Sequence, residues 1–239
     1  MGLSGQHVAV LGGTSGIGLA VATAAAKRGA TVTVVSSRRS SVDQALATLP
    51  AGTTGLVADL ADSNRVHELF DEIAVLDHVI YTAGDALLLS PLAELNPADA
   101  RKFFELRYFG ALTAVQAAAP RLRSGGSITL TTGTAGPRPM PGSAIASSVC
   151  GAIEALTRAL AIELAPIRVN AVMPGVVRSP LWDSLPAEAR RQLYDGTAAT
   201  TPLHRVGEVD DISEAYLFLL TQAHATGSVL TLDGGAILT

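Results

Sequence analysis

Short β-branched runs alternating with alanine-rich stretches of helical length predict an α/β fold, a parallel sheet covered by helices on both faces and folded as one domain over residues 1–239. The strand-like runs are continuously apolar rather than alternating, as in strands buried on both faces. A glycine-rich turn joins the first run to the first helical stretch, the place where such sheets bind ligands.

HVAVLGG (7–13) reads as a buried strand, and GIGLAVATAAAKRGA (16–30) as a helix closed by Gly29. TVTVVSS (31–37), GLVADL (55–60) and DHVIYTAG (77–84) are the second to fourth strands. A long helix over about 97–123 follows, with Asn96 as N-cap and Pro97 at the first helical position. GSITLTTG (126–133) is a fifth strand, 143–166 a helix, IRVNAVMPG (167–175) a sixth strand and SVLTLDGG (228–235) a seventh. The stretch 176–206 is the least regular. It follows a strand end and is long enough to be a lid over a substrate.

Hydrophobic residues make up 48% of the 239 and charged ones 16%, which argues against disorder and coiled coil. A net charge of −4 argues against nucleic acid or an anionic membrane as partner, because both call for a basic patch. No apolar run approaches the ~18 residues that a membrane span needs. The start MGLSGQHVAVLGG lacks a basic leader and enters a strand at once, so no signal peptide is expected, and Gln6 does not fit a myristoylation signal. The one cysteine, Cys150, permits no internal disulfide and fits a cytoplasmic setting. No metal site is expected.

In VLGGTSGIG (10–18), Gly12, Gly16 and Gly18 stand between strand and helix. Residues without a Cβ let the backbone approach a pyrophosphate, and the helix N-terminus supplies free N–H groups. Thr14 and Ser15 add hydroxyls. A purely structural tight turn is the plain alternative. At the end of the second strand, SSRRS (36–40) carries no carboxylate before Asp43. The hydroxyls of Ser36 and Ser37 and the guanidiniums of Arg38 and Arg39 suit a 2′-phosphate, which points to NADP(H) over NAD(H). A solvated basic turn would look the same. Asp59 is placed either to accept from an adenine amino group or to cap the helix near Ser63.

GGTSGIG, the Asp59-Leu60 pair, YTAG (81–84), EALTRALAIELAPIRVNAVMPG (154–175) and GSVLTLDGG (227–235) together resemble the short-chain dehydrogenase/reductase family along essentially the whole chain. The resemblance implies a Rossmann-like doubly wound sheet of seven parallel strands, a nicotinamide cofactor and a homodimer or homotetramer. It adds Ile17, Leu60, Ala83, Gly84, Pro174, Gly175 and Val177 to the expected cofactor contacts. It also implies a catalytic set: a tyrosine that exchanges a proton with the substrate oxygen, a lysine four residues later that lowers the tyrosine pKa and holds the nicotinamide ribose, a serine and an asparagine. Aligned on Glu154-Ala155-Leu156-Thr157-Arg158, the tyrosine position falls on Ala146 and the lysine position on Cys150. Aligned on GSITLTTGTAG (126–136), the serine position falls on Gly133, and the two registers agree without a gap. The asparagine position, from LRYFG (106–110), falls on Arg107. All four depart.

The usual proton transfer is therefore unavailable as written. Candidate stand-ins are Tyr81, Arg107 and Cys150, with Tyr108, Thr132, Thr134, Ser147 and Ser148 nearby in sequence. Arg107 is a cation gained on the helix adjacent to the one that lost its lysine, and taking over the ribose contact is its candidate role; a salt bridge with Glu105 or across a subunit interface is the alternative. Three functions stay open: an oxidoreductase with an unusual proton donor, its carbonyl or alcohol substrate near Met140, Leu181 and Trp182; a cofactor-binding regulatory or sensor protein without turnover; and a nonredox enzyme reusing the pocket.

Overall fold

The computed structural model describes residues 2–73 and 75–239. The helices and strands alternate as β1 (His7–Leu11), α1 (Gly16–Lys27), β2 (Thr31–Ser36), α2 (Arg39–Leu46), β3 (Thr54–Val57), α3 (Ser63–Glu72) and β4 (Leu76–Tyr81). Then come α4 (Pro97–Phe104), a π turn (Glu105–Phe109), α5 (Gly110–Ala118), β5 (Leu122–Thr131), α6 (Ala144–Glu163) and β6 (Arg168–Pro174). The chain closes with β7 (Val177–Arg178), α7 (Ala187–Thr200), β8 (Gly207–Glu208), α8 (Val209–Thr221) and β9 (Val229–Leu232).

Seven parallel strands form one sheet in the order β3-β2-β1-β4-β5-β6-β9. The chain leaves β1 toward β2 and β3, then returns to the other side of β1 with β4. That reversal opens a crevice beyond the carboxyl ends of β1 and β4. Consecutive β1 residues serve opposite faces: Ala9 and Leu11 join the core under α3, α5 and α6, whereas Val8 and Val10 join the core under α1 and α8. Both faces are apolar, so the strand pattern is continuous.

Several local signals act as expected. Asn96 accepts from the Ala98 amide at 2.9 Å and Pro97 opens α4. Gly29 follows α1 with φ +90°, which a side chain would strain. Other expectations need correction. The helix over 97–123 is interrupted by the π turn and ends by Ala118, with a 3₁₀ turn over Ala119–Arg121 and β5 starting already at Leu122. The cap of α3 is Asp62, whose carboxylate accepts from Asn64 and Arg65, so Asp59 does not hold that role. The stretch 176–206 is more regular than expected: it contains β7, a 3₁₀ turn (Pro180–Trp182) and the 14-residue α7. Finally, α6, 20 residues long, is long and apolar enough by composition to cross a membrane, against the reading that nothing here approaches a span. In the fold one of its faces, with Val149, Ile153 and Leu160, packs into the core beneath the sheet.

Candidate active site

A cleft of about 1590 Å³ lies along the carboxyl ends of the strands. This exceeds the ~300–1,000 Å³ of a single small-molecule pocket, leaving room for a dinucleotide and a second ligand.

One end is made of backbone. Gly12 has φ +88°, and a Cβ there would lie 2.6 Å from the Ala83 amide nitrogen. The β1–α1 turn and the end of β4 are therefore pressed together, and Thr82 Oγ1 secures the contact by donating to the carbonyls of Leu11 and Gly12. Ser15, the N-cap of α1, makes no side-chain capping bond among the described residues, so the first-turn N–H groups face the cleft. Gly16, at φ +50°, lies opposite Pro180 and Ser179. Those features fit a pyrophosphate.

The other expected cofactor contacts divide. Thr14, Ser15, Gly16, Ile17, Gly18, Ser36, Ser37, Arg38, Asp59, Leu60, Ala83, Gly84, Pro174 and Gly175 all line the cleft with Gly12. Arg39 does not. It opens α2 and lies 3.9 Å from Asp43 one helical turn on. Val177 is buried in β7, and its neighbour Val176 lines the cleft instead. Ser41 and Gln44 of α2 also reach the cleft and were not foreseen. They stand one and nearly two helical turns beyond Arg38 or Ser37, a spacing available in the sequence once α2 is placed. Asp59 accepts from the Ala61 amide at 3.0 Å and lines the cleft beside Ala58 and Leu60.

The opposite end is made of side chains from β4, the π turn, β5 and α6. Gly133 and Cys150 are neighbours, since a Cβ on Gly133 would lie 3.4 Å from the Cys150 sulfur. Ala146 is buried one helical turn earlier and lines the same wall. Thr132 Oγ1 donates to the Cys150 carbonyl at 3.1 Å, and Ser148 Oγ to that of Ala144. Ser147 Oγ shares a 2.9 Å hydrogen bond with buried Ser143. Tyr108 packs between Phe104 and Phe109, with ring centroids 6.3 and 5.2 Å away.

Arg107 supplies the cation. Its guanidinium lies against the open flank of Gly84, where a Cβ would come within 2.6 Å of Nη1. Nη2 donates to the Asp85 carbonyl, and the group sits 4.6 Å from the centre of the Phe103 ring. Nε is buried and has no hydrogen-bond partner among the described residues. Burial draws the Arg107 pKa down, opposed by Cys150, Asp85 and Tyr81, and a guanidinium stays charged under such a shift. The salt bridge to Glu105 offered as its alternative role is not formed among the described residues.

Two stand-ins lose standing on this geometry. Tyr81 points into the core below α5, its hydroxyl donating to the Leu106 carbonyl at 2.6 Å. Burial pushes its pKa up, outweighing the opposing pull of Arg107, so it is a poor proton donor to the cleft. Burial likewise pushes the Cys150 thiol up, against the Thr132 hydrogen bond and the Arg107 charge.

Met140, Leu181 and Trp182 line the far part of the cleft, joined by Leu87, Leu89 and Leu193. Trp182 Nε1 donates to the Val177 carbonyl at 2.9 Å, which fixes the indole as a wall.

Residues 12–236 match the family model described as Enoyl-(Acyl carrier protein) reductase. The chain is 37% identical over 255 residues to the short-chain dehydrogenase/reductase ucsE of Acremonium sp, covering 99% of this chain and 97% of that protein. It belongs to the short-chain dehydrogenase/reductase family. Among solved family members, a small-chain dehydrogenase in complex with NADPH superposes with a TM-score of 0.88 at 34% identity, covering 98% of this chain and 99% of that one. MalC Reductase/Diels-Alderase from Malbranchea aurantiaca superposes with a TM-score of 0.92 at 27% identity, covering 99% and 98%. The protein is thus an oxidoreductase by family, and the family's nicotinamide cofactor has a fitting cradle in its glycine turn.

Proposed function

We propose that the protein binds NADP(H) and reduces a carbonyl compound, or oxidises the matching alcohol, with the Arg107 guanidinium in place of the family's proton-transferring side chains. The observation that carries this reading is the packing of that cation against Gly84, close enough to Cys150 for its charge to bear on the thiol, beside a wall formed by Gly133, Ala146 and Cys150. When bound, the cofactor supplies the hydride. Ser36, Ser37 and Arg38 would hold its 2′-phosphate, and the N–H groups of the β1–α1 turn its pyrophosphate. Arg107 would hold the nicotinamide-side ribose or the oxygen of the substrate. A fixed guanidinium needs no reorganisation to face a developing oxyanion. General acid catalysis is worth about 10²–10⁴-fold, so a protein without it turns over slowly on unactivated ketones and draws its final proton from water.

The apolar wall of Met140, Leu181, Leu193 and Trp182 favours a bulky, largely hydrophobic substrate, with the segment 176–206 as its lid. The same wall would serve a cofactor-binding sensor or a nonredox enzyme, and the absence of the family's proton donor is the observation that would favour the sensor. A homodimer or homotetramer is the expected assembly, readable by sedimentation.

The test is a fluorescence titration with NADPH and NADH, followed by a carbonyl panel. Tighter binding of NADPH with oxidation on at least one substrate supports the reading. Binding without oxidation across the panel supports the sensor. Failure to bind either nucleotide overturns both.

A further inference from the structure

We propose that Tyr81 is a positioning residue for Arg107: its hydroxyl holds the π turn that carries Arg107 and so fixes where the guanidinium stands. The inference rests in part on the reading above, since the cofactor is the ligand that would feel the displacement.

The geometry begins with the π turn. A turn bonded i to i+5 falls out of step with the helices on either side, and its carbonyls need partners from elsewhere. The Gly110 amide reaches back to the Glu105 carbonyl, and the Leu106 carbonyl takes its hydrogen bond from Tyr81 Oη at 2.6 Å. Gly110 makes this approach possible. A Cβ there would stand 2.6 Å from Tyr81 Oη and 2.5 Å from the Leu60 carbonyl oxygen.

Tyr81 is itself fixed. It is buried at the end of β4, and its carbonyl accepts from Thr131 Oγ1 at 2.6 Å, which in turn shares a 2.6 Å hydrogen bond with the Tyr216 hydroxyl. A rigid strand end thus grips the residue immediately before Arg107. Arg107 itself has one hydrogen bond, to the Asp85 carbonyl, one ring face at Phe103 and the flank of Gly84, and its Nε has no partner among the described residues. With one hydrogen bond to direct it, the guanidinium takes its position largely from its backbone.

Cys150 offers a readout that needs neither cofactor nor activity. It is the chain's single cysteine. Burial raises its pKa, opposed by the Thr132 hydroxyl and the Arg107 charge. The Tyr81 hydroxyl is turned to the Leu106 carbonyl, so a change at Cys150 on altering Tyr81 is expected to pass through Arg107.

The experiment is a double-mutant cycle of Tyr81→Phe and Arg107→Met. The Cβ NMR resonance of isotope-labelled cysteine is followed against pH in the ligand-free protein, and NADPH affinity is measured by fluorescence. Arg107→Met removes a cation beside the thiol, so the Cys150 titration moves up. Tyr81→Phe is expected to move it in the same direction and to weaken NADPH binding by about 3- to 10-fold, the displacement of the one hydrogen bond that Arg107 would make to the cofactor. Neither effect should recur when Tyr81→Phe is added to Arg107→Met. Tyr216→Phe, which removes the far hydroxyl bonded to Thr131 and leaves the Tyr81 and Thr132 hydroxyls in place, is the control for simple loosening and should lower Tm without moving Cys150.

An unchanged Cys150 titration in Tyr81→Phe, or additive effects of the two substitutions, overturns the proposal. If Tyr81→Phe does not fold, Tyr81→Met, which likewise removes the donor to the Leu106 carbonyl, takes its place in the cycle. A protein that binds no NADPH overturns the cofactor reading and leaves the thiol titration to decide the role of Tyr81.

Discussion

The two ends of the cleft are built by opposite means. The β1–α1 end is a site of backbone: Gly12 folded against Ala83, free N–H groups at the start of α1, and a glycine opposite Pro180. The β5–α6 end is a site of side chains, and Gly133, Ala146, Cys150 and Arg107 stand where the family resemblance leads one to expect a serine, a tyrosine, a lysine and an asparagine. A backbone site is held by the packing of the whole fold and survives most substitutions. A side-chain site can be emptied one residue at a time, because the helix and strand that carry it are stabilised by their other faces. In α6 those are Val149, Ile153 and Leu160.

The largest effect should come from breaking the backbone end. Gly12→Ala adds a Cβ 2.6 Å from the Ala83 amide nitrogen at a φ of +88°. Either the turn or the end of β4 must move, and the phosphate cradle moves with it. NADPH affinity should fall by about 100-fold or more, with a lower Tm, as read by titration and thermal melting. If Gly12→Ala binds NADPH normally, the backbone end is not the cofactor's anchor.

Stability should be separable from both ends. His78 is buried near the amino end of the central strand β4, away from the cleft, bonded to Ser127 Oγ at 2.8 Å and Gln6 Oε1 at 3.2 Å. Burial, helped by Arg168 and opposed by Asp77, lowers its pKa from 6.5 to about 4. Between those values the unfolded chain binds the proton and the native one does not. The stabilisation is complete above pH 6.5 and is lost as pH falls toward 4, by about 2 kcal/mol between pH 7 and pH 5. His78→Gln should flatten that part of the Tm–pH curve while leaving NADPH affinity unchanged; a curve as steep as that of the wild type would assign the acid sensitivity elsewhere.

Between the two ends lies the choice of nucleotide. Arg38 lines the cleft with Ser36 and Ser37, and no carboxylate stands beside them in the sequence. Arg38→Ala should weaken NADPH binding by about 10-fold, the loss of a charge-assisted contact, and leave NADH within about 2-fold. Equal losses for both nucleotides would place Arg38 on a part that they share. Arg39, turned along α2 near Asp43, should behave as a silent surface residue.

The same contrast explains what could be read in advance. The glycine spacing, the strand ends and the caps at Asn96 and Gly29 are local signals, each with a local physical cause, and the structure places them as the sequence suggests. The two stretches placed in one register by their spacing also meet: Gly133, just after β5, and Cys150 of α6, 17 residues apart, are neighbours. What escaped was direction. Tyr81 sits in a strand apolar on both faces, so alternation does not say which way it points, and it points under α5. The π turn shifts the helix by one residue without a proline or glycine before Gly110 to announce it, and it sets the aim of Arg107. Arg39 and Val177 missed the cleft for a related reason, each adjacent to a residue that lines it.

The smallest effect is expected at Cys150, where the side-chain end can be tested for hidden chemistry. A nucleophilic cysteine needs a thiolate at working pH, and thiolates are found at helix N-termini or beside unshielded cations. Cys150 has one such feature, the Arg107 charge, and burial outweighs it, so the group rests as a thiol near neutral pH. Its position in the second turn of the 20-residue α6 removes it from the helix N-terminus. Cys150→Ser keeps a small polar group against Gly133 and should leave NADPH affinity and any turnover within about 2-fold, inside the range of substitutions that remove no strong interaction. A loss of turnover beyond 100-fold with unchanged affinity would make the thiol a catalytic residue and would mean that the side-chain end had moved its chemistry by four residues rather than surrendered it.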